Sequence, residues 1–589
     1  MRTSRLAYAA SLAVAAFVAL AAAQPFVYPD AWTDLPAAQA RYGGVLVTTT
    51  GGDPRTFNPL VSVESNLVVD HMRSPYLGAP TLAWRRPLDG TWEPYGAASL
   101  TFSDDGLRID AQLREGLRWS DGSPITIQDY LISYELQTHP VAGRHVLDAW
   151  FIDGEPIVVE ATGERSLRMT FPGPDRIARD RLSSLWPLPD AVFGETFRRD
   201  GAEAVLALWG IDADPGTLLF SGLMSLTAFV AGEQLVFERN PYWGEWNVDA
   251  LGQPLPYLDG VRFRHAEPDA SLNLFLAGEI DELWPGSLDA VASILAAVGA
   301  GDLDASVYES VFEVRGTTFI AFNLNKASDP FLEALFRDVR FRRSIAHLVD
   351  RHAIAELAWQ GAAAPLLSSV TGAFGTWVAP DLRAPAFDPE AAHALLAELG
   401  FDRRDAAGFL IDGDGRRIRF GIVTNGSSVQ RVQAAAILAD TMREAGLEVT
   451  STALAFPQIV DQIQVVGDER PFDVVLLGLS GASRDWPFLM GAVQCDGTFH
   501  MQNRSGACLD DIEARVEALA IQGRRTLDDD EAARIAHEIQ RLELEALHVI
   551  QLVVPTVHFA HRGRLAGLLP RELWNVDNGL YVPALTSLR

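Results

Sequence analysis

The sequence predicts an α/β protein with more than one domain. Its 589 residues exceed what a single hydrophobic core normally organises, so we expect two or three domains. The run 318–325 is apolar almost throughout, which is typical of a strand buried on both faces in a parallel sheet covered by helices. After this run, helical and strand patterns alternate, as they do in α/β domains.

The composition is that of a folded, strongly acidic protein. Apolar residues make up 48% and charged residues 21% of the chain, and the net charge is -29. This balance is typical of globular rather than disordered chains. A surface of this charge repels phosphate groups, so we expect no binding to nucleic acid and no polybasic docking to an anionic membrane.

The first 23 residues have the pattern of a signal peptide. Arg2 and Arg5 precede the apolar run Leu6–Leu20, and the small residues Ala21–Ala23 follow it. The run is shorter than the roughly 20 residues a membrane anchor needs. We therefore expect cleavage near Ala23 and a periplasmic or other extracytoplasmic location. No cysteine stands at the junction, so we do not expect a lipoprotein.

A strand, a turn and a helix start follow one another in the stretch 99–135. Apolar and polar residues alternate over 107–114, which indicates a strand with one buried face. Asp104–Gly106 supplies the preceding hairpin turn. Thr126 and Asp129 form a potential capping box, so a helix should begin near residue 127.

This stretch resembles the signature segment of the family 5 extracytoplasmic solute-binding proteins, the dipeptide- and oligopeptide-binding receptors of ABC importers. The family pattern L-R-x-G-x-x-W-x-D-G-x-P-x-T-x-x-D is matched at Leu113, Arg114, Gly116, Trp119, Asp121, Gly122, Pro124, Thr126 and Asp129. Further matches are the loop Asp53–Leu60, the turn Asn240–Trp243 and the segment Gly278–Asp281.

The resemblance implies the two-lobed periplasmic binding protein fold with an extra subdomain inserted in the first lobe. On this basis, lobe I should comprise residues 24–315 and 557–589, with the inserted subdomain at about 67–200. Lobe II should comprise residues 316–556. Closure of the lobes on a solute would then deliver it to the permease.

Capping patterns predict the helices and strands of lobe II. Asp388 and Pro389 should start a helix that stops at Gly400, and Ser427 or Ser428 should cap another that runs to residue 445. Strands are expected at 447–452, 472–478 and 549–558. Thr526 with Asp529 should cap the long helix before the last of these strands.

The loop that follows the strand 472–478 is the main candidate ligand site. Loops at the carboxyl ends of parallel strands are where open α/β sheets bind ligands. In peptide-binding relatives this loop resembles G-W-x-x-D, whose aspartate receives the α-amino group. Leu479 and Ala482 stand at the tryptophan and aspartate positions here, so a displaced site would comprise Ser483, Arg484, Asp485 and Trp486. The alternative is a solvated turn in which Arg484 and Asp485 pair with each other.

Two further candidates come from other parts of the chain. The resemblance implies that Ser62 and Glu64, after the loop Asp53–Leu60, touch the ligand, and the alternative is an ordinary surface loop. Cys495 and Cys508 are the two cysteines, and in an exported protein a pair this close in sequence is expected to form a disulfide.

The sequence gives little support for a metal site or for catalytic residues. Asp412–Gly415 has part of a calcium-loop pattern but is better explained as a hairpin turn. His548, His558 and His561 are alternative metal ligands, although their strand-like setting favours packing. We find no nucleophile elbow, zinc-binding helix or P-loop. We therefore expect no catalytic residues, no metal site and no cofactor.

The predicted function is substrate capture for an ABC transporter. The resemblance implies a monomer that binds oligopeptides or dipeptides and contacts the permease subunits. Because Ala482 replaces the aspartate that would receive the α-amino group of a peptide, the alternative ligand is an oligosaccharide of the cello-oligosaccharide type. Such a ligand would bind through aromatic platforms and hydrogen bonds. A secreted hydrolase is a third alternative, from a different class.

Overall fold

The computed structural model describes residues 24–62, 66–143, 150–152, 154–467, 470–480, 482–574 and 580–589. They form two compact units. Unit 1 contains the described residues up to Trp284, together with Ile294–Val307 and Phe559–Arg589. Unit 2 contains Pro285–Ser293 and Tyr308–His558. The α/β class is confirmed, since helices and strands occur in both units.

Unit 1 is built on two four-stranded sheets, with the strand orders β5-β6-β10-β9 and β11-β12-β14-β2. All neighbours are antiparallel except β14 and β2, which are parallel. The strands up to this point of the chain are β1 Phe26–Val27, β2 Val45–Thr50, β3 Ala83–Arg85, β4 Trp92–Pro94, β5 Ala97–Phe102, β6 Arg108–Leu113, β7 Phe151–Ile152, β8 Glu155–Pro156, β9 Val158–Gly163, β10 Ser166–Thr170, β11 Met224–Val230, β12 Gln234–Arg239, β13 Asn247–Val248, β14 Gly260–His265 and β15 Glu282–Leu283.

The signature segment folds as its pattern predicts. β5 and β6 form a hairpin, and a helix begins at Ile127. The Asp129 carboxylate accepts hydrogen bonds from the Thr126 backbone N–H at 2.6 Å and the Thr126 hydroxyl at 2.9 Å. It also accepts one from the Asp190 N–H at 2.8 Å. The helices of unit 1 are Leu67–Arg73, Ile127–Thr138, Arg181–Ser184, Glu195–Asp200, Ala202–Leu206 and Pro268–Leu276.

Unit 2 is organised around a sheet with the order β24-β17-β23-β21-β22. The strands from the end of unit 1 onward are β16 Ala305–Glu313, β17 Thr317–Phe322, β18 Ala363–Pro365, β19 Arg403–Arg404, β20 Leu410–Ile411, β21 Arg419–Asn425, β22 Glu448–Leu454, β23 Val474–Leu479, β24 Val549–Arg562, β25 Leu565–Ala566 and β26 Ser587–Leu588.

The prediction that the run 318–325 forms a parallel strand is half right. Every residue of β17 is buried, but β17 is antiparallel to both β23 and β24. The parallel pairs are β21 with β22 and β21 with β23. Helices cover both faces of the sheet, so burial of β17 follows from this covering and not from strand direction.

Helix starts in unit 2 agree with the predicted caps, with one exception. Asp388 caps the helix at Pro389, and Ser428 caps the helix at Val429. The prediction for Thr526 is wrong, because Thr526 ends one helix and Asp528 caps the next. Asp528 accepts from the Glu531 N–H at 2.8 Å, with the three-residue spacing that an N-cap requires. The helices are Pro330–Arg337, Val339–His347, Arg351–Ala358, Pro389–Glu398, Val429–Glu444, Phe456–Gln464, Met490–Val493, Asp511–Arg525 and Asp529–Ala546.

The chain passes between the units four times. Two of these crossings lie between Val307 and Tyr308 and between His558 and Phe559. The sequence analysis predicted the corresponding boundaries after residues 315 and 556. Sequence reasoning did not predict the other two, which flank the short piece Pro285–Ser293. The helix Leu288–Ala300 carries the chain from this piece into unit 1. No helix in the described ranges has the length and hydrophobicity needed to cross a bilayer.

Asp129→Ala should destabilise unit 1. The substitution leaves the N–H groups of Thr126 and Asp190 without their carboxylate acceptor, and each such loss costs about 1–3 kcal/mol when buried. Thermal unfolding followed by circular dichroism would show a lower melting temperature. Asp104→Ala, at an exposed turn residue, is the control and should melt like the wild type. Equal melting of both variants would contradict the capping role.

Candidate functional site

The loop after β23 is a compact turn in unit 2. Ser483 and Trp486 form an antiparallel bridge, and the Ser483 hydroxyl accepts a hydrogen bond from the Asp485 N–H at 3.1 Å. The indole N–H of Trp377 donates to the Arg484 carbonyl at 3.0 Å. These contacts hold the backbone in place, and the Arg484 and Asp485 side chains stay partly accessible.

Trp486 packs against the interior side of this loop. Its side chain is 1% exposed and packs edge-on against Trp377 and Phe488, with ring centroids 5.8 and 5.3 Å away. A Cβ on Gly523 would lie 2.1 Å from the indole ring, so glycine is required where the helix Asp511–Arg525 passes. Trp486 is therefore a core residue beneath the loop, and its ring offers no open face to a ligand in this structure.

A cavity of about 140 Å³ lies inside unit 2 beside this loop. Ser480 and Ala482 of the loop line it, together with residues of β17, β24 and four helices. The lining is mainly aliphatic and aromatic, including Leu479, Phe488, Phe499 and Leu542. Such a cavity offers an apolar surface to a guest, with a few polar atoms to orient it.

The polar residues that line this cavity include Arg351, Glu543 and Gln551. Glu543 accepts hydrogen bonds from the Ser369 hydroxyl at 2.8 Å and the Ser369 N–H at 3.3 Å. Burial raises the Glu543 pKa to about 7. Gln551 is 8% exposed, and its Oε1 has no hydrogen-bond partner among the described residues. Sequence reasoning missed all three because they lie far apart in the chain and belong to no motif.

The two cysteines form a disulfide, with Cα atoms 5.0 Å apart. It closes a segment whose residues Phe499, His500 and Met501 also line the unit 2 cavity. The Cys495 N–H donates to the Glu517 carboxylate at 3.0 Å, which ties the segment to the helix Asp511–Arg525. The disulfide thus restrains one wall of the cavity.

The candidate residues of unit 1 are placed differently. Ser62 is 6% exposed, and its hydroxyl accepts a hydrogen bond from the Asn66 side chain at 3.2 Å. Asn66 in turn caps the helix Leu67–Arg73. Ser62 therefore has a structural partner in this structure. Glu64 lies outside the described residues.

A larger pocket, of about 720 Å³, lies within unit 1. Its lining includes Tyr76, Glu282, Trp284 and Tyr581, which come from three separated parts of the chain. Burial raises the Glu282 pKa to about 7. The one sequence signal for Glu282 is its place directly after the motif Gly278–Asp281.

The alternative metal ligands have other partners. His548 Nε2 lies 2.9 Å from the Asp510 carboxylate, and His558 Nδ1 accepts a hydrogen bond from the Ser310 N–H at 3.0 Å. His561 belongs to unit 1. Asp412 is paired with Arg416 at 2.8 Å inside a turn. None of these residues belongs to a cluster of potential metal ligands within the described part of the chain.

Comparisons with known proteins decide the family. Residues 91–499 match the model of the bacterial extracellular solute-binding proteins, family 5 Middle. The chain is 33% identical over 579 residues to a probable ABC transporter-binding protein of Deinococcus radiodurans, covering 96% of both chains. The chain belongs to the family 5 solute-binding proteins.

Solved structures share the fold of this solute-binding protein. AppA of Bacillus subtilis in complex with a nonapeptide aligns with a TM-score of 0.71 at 18% identity, covering 93% of this chain and all of AppA. MelB of Agrobacterium fabrum in complex with stachyose aligns with a TM-score of 0.75 at 18% identity, covering 97% and 88%. These alignments confirm the two-lobed periplasmic binding protein fold. Proteins of this family are extracytoplasmic, bind small molecules and work with ABC permeases.

Gly523→Ala should destabilise this solute-binding protein. The new Cβ would overlap the Trp486 ring, and overpacking of this kind costs about 1–3 kcal/mol. Gly299→Ala is the matched control, because a Cβ there meets nothing within 4 Å and should stabilise its helix by up to about 1 kcal/mol. Urea unfolding would measure both. A G523A protein as stable as the wild type would show that Trp486 is not packed as described.

Loss of the disulfide should also lower stability. Replacing Cys495 and Cys508 together by serine reopens a loop with a sequence separation of 13, and the free energy of unfolding should fall by about 3 kcal/mol. Wild-type protein reduced with dithiothreitol should show the same loss in urea unfolding. An unchanged unfolding curve for both samples would contradict a stabilising role.

Proposed function

We propose that this solute-binding protein captures oligopeptides or dipeptides and delivers them to the permease of an ABC importer. The observation that carries the peptide assignment is the unit 2 cavity, which combines apolar walls with separate polar atoms. A peptide has the same character, since its side chains are often apolar and its amide groups need hydrogen-bond partners. AppA in complex with a nonapeptide shares the fold and supports this assignment.

The tryptophans favour a peptide over an oligosaccharide. Ten of the 14 tryptophans are buried, and the described lining of the unit 2 cavity contains neither tryptophan nor tyrosine. Oligosaccharides are held by exposed aromatic faces and dense hydrogen bonding. The fold shared with MelB, solved with stachyose, makes an oligosaccharide the alternative to test.

The loop residues are proposed as contacts to the charged groups of a peptide. Asp485 would receive an ammonium group in place of the acid that is missing at Ala482, and Arg484 would receive a carboxylate. Ser483 would hold the loop backbone, and Trp486 would support it through packing. In unit 1 we propose Ser62 and Glu64 as further contacts.

The remaining assignments follow from the same proposal. The protein would be exported through the leader 1–23, without lipid attachment. It would act as a monomer, release its ligand unchanged and use no cofactor. The net charge of -29 supports a protein that does not bind nucleic acid.

Binding panels test the ligand class. We expect an alanine-based tripeptide to raise the melting temperature, because a ligand at 100 times its Kd adds about 2.7 kcal/mol to the free energy of unfolding. Cellotetraose, stachyose and Ni²⁺ should leave it unchanged. A shift with cellotetraose alone would establish the oligosaccharide alternative. Cleavage of the peptide, detected by mass spectrometry, would establish a hydrolase.

Asp485→Asn should weaken peptide binding at least tenfold, or about 1.4 kcal/mol, because an amide does not neutralise an ammonium group. Isothermal titration would measure the Kd. Asp414→Asn, at an exposed turn residue of unit 2, is the control and should bind like the wild type. Unchanged affinity of the D485N protein would remove Asp485 from the site.

A further inference from the structure

The unit 1 pocket is assembled from distant parts of the chain. Thr48–Thr50 at the end of β2, the helix Leu67–Arg73, the segment Glu282–Trp284 and residues 580–586 all contribute to its lining. At about 720 Å³ it is large enough for a small organic molecule. All of its lining residues belong to unit 1.

The charges that line this pocket are negative. Asp70 and Glu282 contribute carboxyl groups, and the described lining residues include no lysine or arginine. His71 also lines the pocket, stacked on Phe237 with the ring centroids 4.1 Å apart. Burial lowers the His71 pKa to about 4, so its imidazole is neutral at pH 7. Asp70 is paired with Arg73 at 3.4 Å, so Glu282 is the lining carboxyl without a cationic partner among the described residues.

Glu282 has no cationic partner among the described residues. The residue is 4% exposed, and its Oε1 accepts a hydrogen bond from the Tyr581 hydroxyl at 3.3 Å. Its Oε2 has no hydrogen bond of good geometry from any described residue, but the Thr48 and Trp284 side chains lie close enough to the carboxyl to lower its pKa. The adjacent Asp281 binds Arg564, with Nη2 and Oδ2 2.8 Å apart, so that arginine is already engaged. A buried carboxyl without a cation is costly to ionise, and a cationic guest would reduce this cost.

Aromatic side chains lie beside this acid. Trp284 lines the pocket and is 44% exposed, so one part of its indole is open to a guest. Tyr76 and Tyr581 line the same pocket. Aromatic faces attract ammonium and guanidinium groups, and the neighbouring side chains Leu77, Leu223 and Val261 supply apolar contact.

We propose that the unit 1 pocket is a binding site for an organic cation, in which an ammonium, amidinium or guanidinium group on an apolar body pairs with Glu282. Trp284 contacts the cation or its apolar body. This site goes beyond the proposed peptide capture, which assigns no role to Glu282.

The pH dependence of binding follows from the Glu282 carboxyl. Burial holds its pKa at about 7, so much of it is protonated below pH 7 and ionised above. A cation pairs with the ionised form, and binding should weaken about tenfold from pH 8 to pH 6. The titratable and charged groups around it, on its own and neighbouring elements, are Asp70, His71, Tyr76, Asp281, His561, Arg564 and Tyr581.

Benzamidine and benzamide provide an isosteric pair of probes for the full-length protein. Benzamidine is cationic from pH 6 to pH 8, whereas benzamide has nearly the same shape but is neutral. Isothermal titration at pH 8 should give benzamidine an affinity at least tenfold higher than benzamide, and this preference should fall at pH 6. Equal binding of the two probes, or no binding of benzamidine, would overturn the proposal.

Glu282→Gln tests the assigned residue. The amide keeps an oxygen for the Tyr581 hydroxyl but carries no charge, so benzamidine binding should drop at least tenfold and lose its pH dependence. Glu238→Gln, at an exposed residue of β12, is the matched control and should bind benzamidine like the wild type. Undiminished binding by the E282Q protein would place the cation elsewhere.

Two measurements keep the test decisive. If the E282Q protein fails to fold, titration of the wild type at pH 6.5 in buffers of different ionisation enthalpy should show proton release as benzamidine binds, and no release would contradict the role of Glu282. Peptide binding is measured separately. A protein that binds benzamidine but no peptide refutes the proposed function alone, and one that binds peptide but not benzamidine refutes the cation site alone.

Discussion

Burial of the central sheet of unit 2 on both faces is the constraint on which the candidate site depends. The strand β17 lies between β23 and β24, and all its residues are withdrawn from water. Polar side chains are costly inside such a sheet unless they are paired. They therefore concentrate at strand ends and in the connecting segments, where Ser483, Arg484 and Asp485 follow β23.

The two units differ in how they accommodate a buried glutamate. Each contains a glutamate whose pKa burial raises to about 7, Glu282 in unit 1 and Glu543 in unit 2. Glu543 receives two hydrogen bonds from Ser369, whereas Glu282 receives one of good geometry, from the Tyr581 hydroxyl, and its Oε2 receives none from the described residues. A buried carboxyl without a nearby cation gains from a guest that supplies one. We regard this difference as the physical reason to assign the unit 1 pocket to a cation.

The fold is shared with distant relatives, but the loop at the candidate ligand site differs from that of peptide-binding relatives. Structures that share only 18% of their residues with this chain align over most of its length, because strand pairing and core packing tolerate many apolar substitutions. Ligand recognition depends on individual polar atoms. Ala482 and Leu479 depart from the loop pattern of peptide-binding relatives, so ligand specificity depends on the residues that line the cavities of this chain.

Local sequence patterns determined the α/β class, the hairpin of β5 and β6, and the helix starts at Ile127, Pro389 and Val429. These features depend on residues close together in the chain, namely alternating side chains, caps and turns. Tertiary structure decided that β17 pairs antiparallel with its neighbours and that Asp528 caps the long helix. It placed Pro285–Ser293 in unit 2, although the segments on either side belong to unit 1. It also decided that Trp486 is buried against Gly523 and that Glu282 meets Tyr581, 299 positions away. No local pattern encodes such contacts, because they arise when distant segments pack and exclude water.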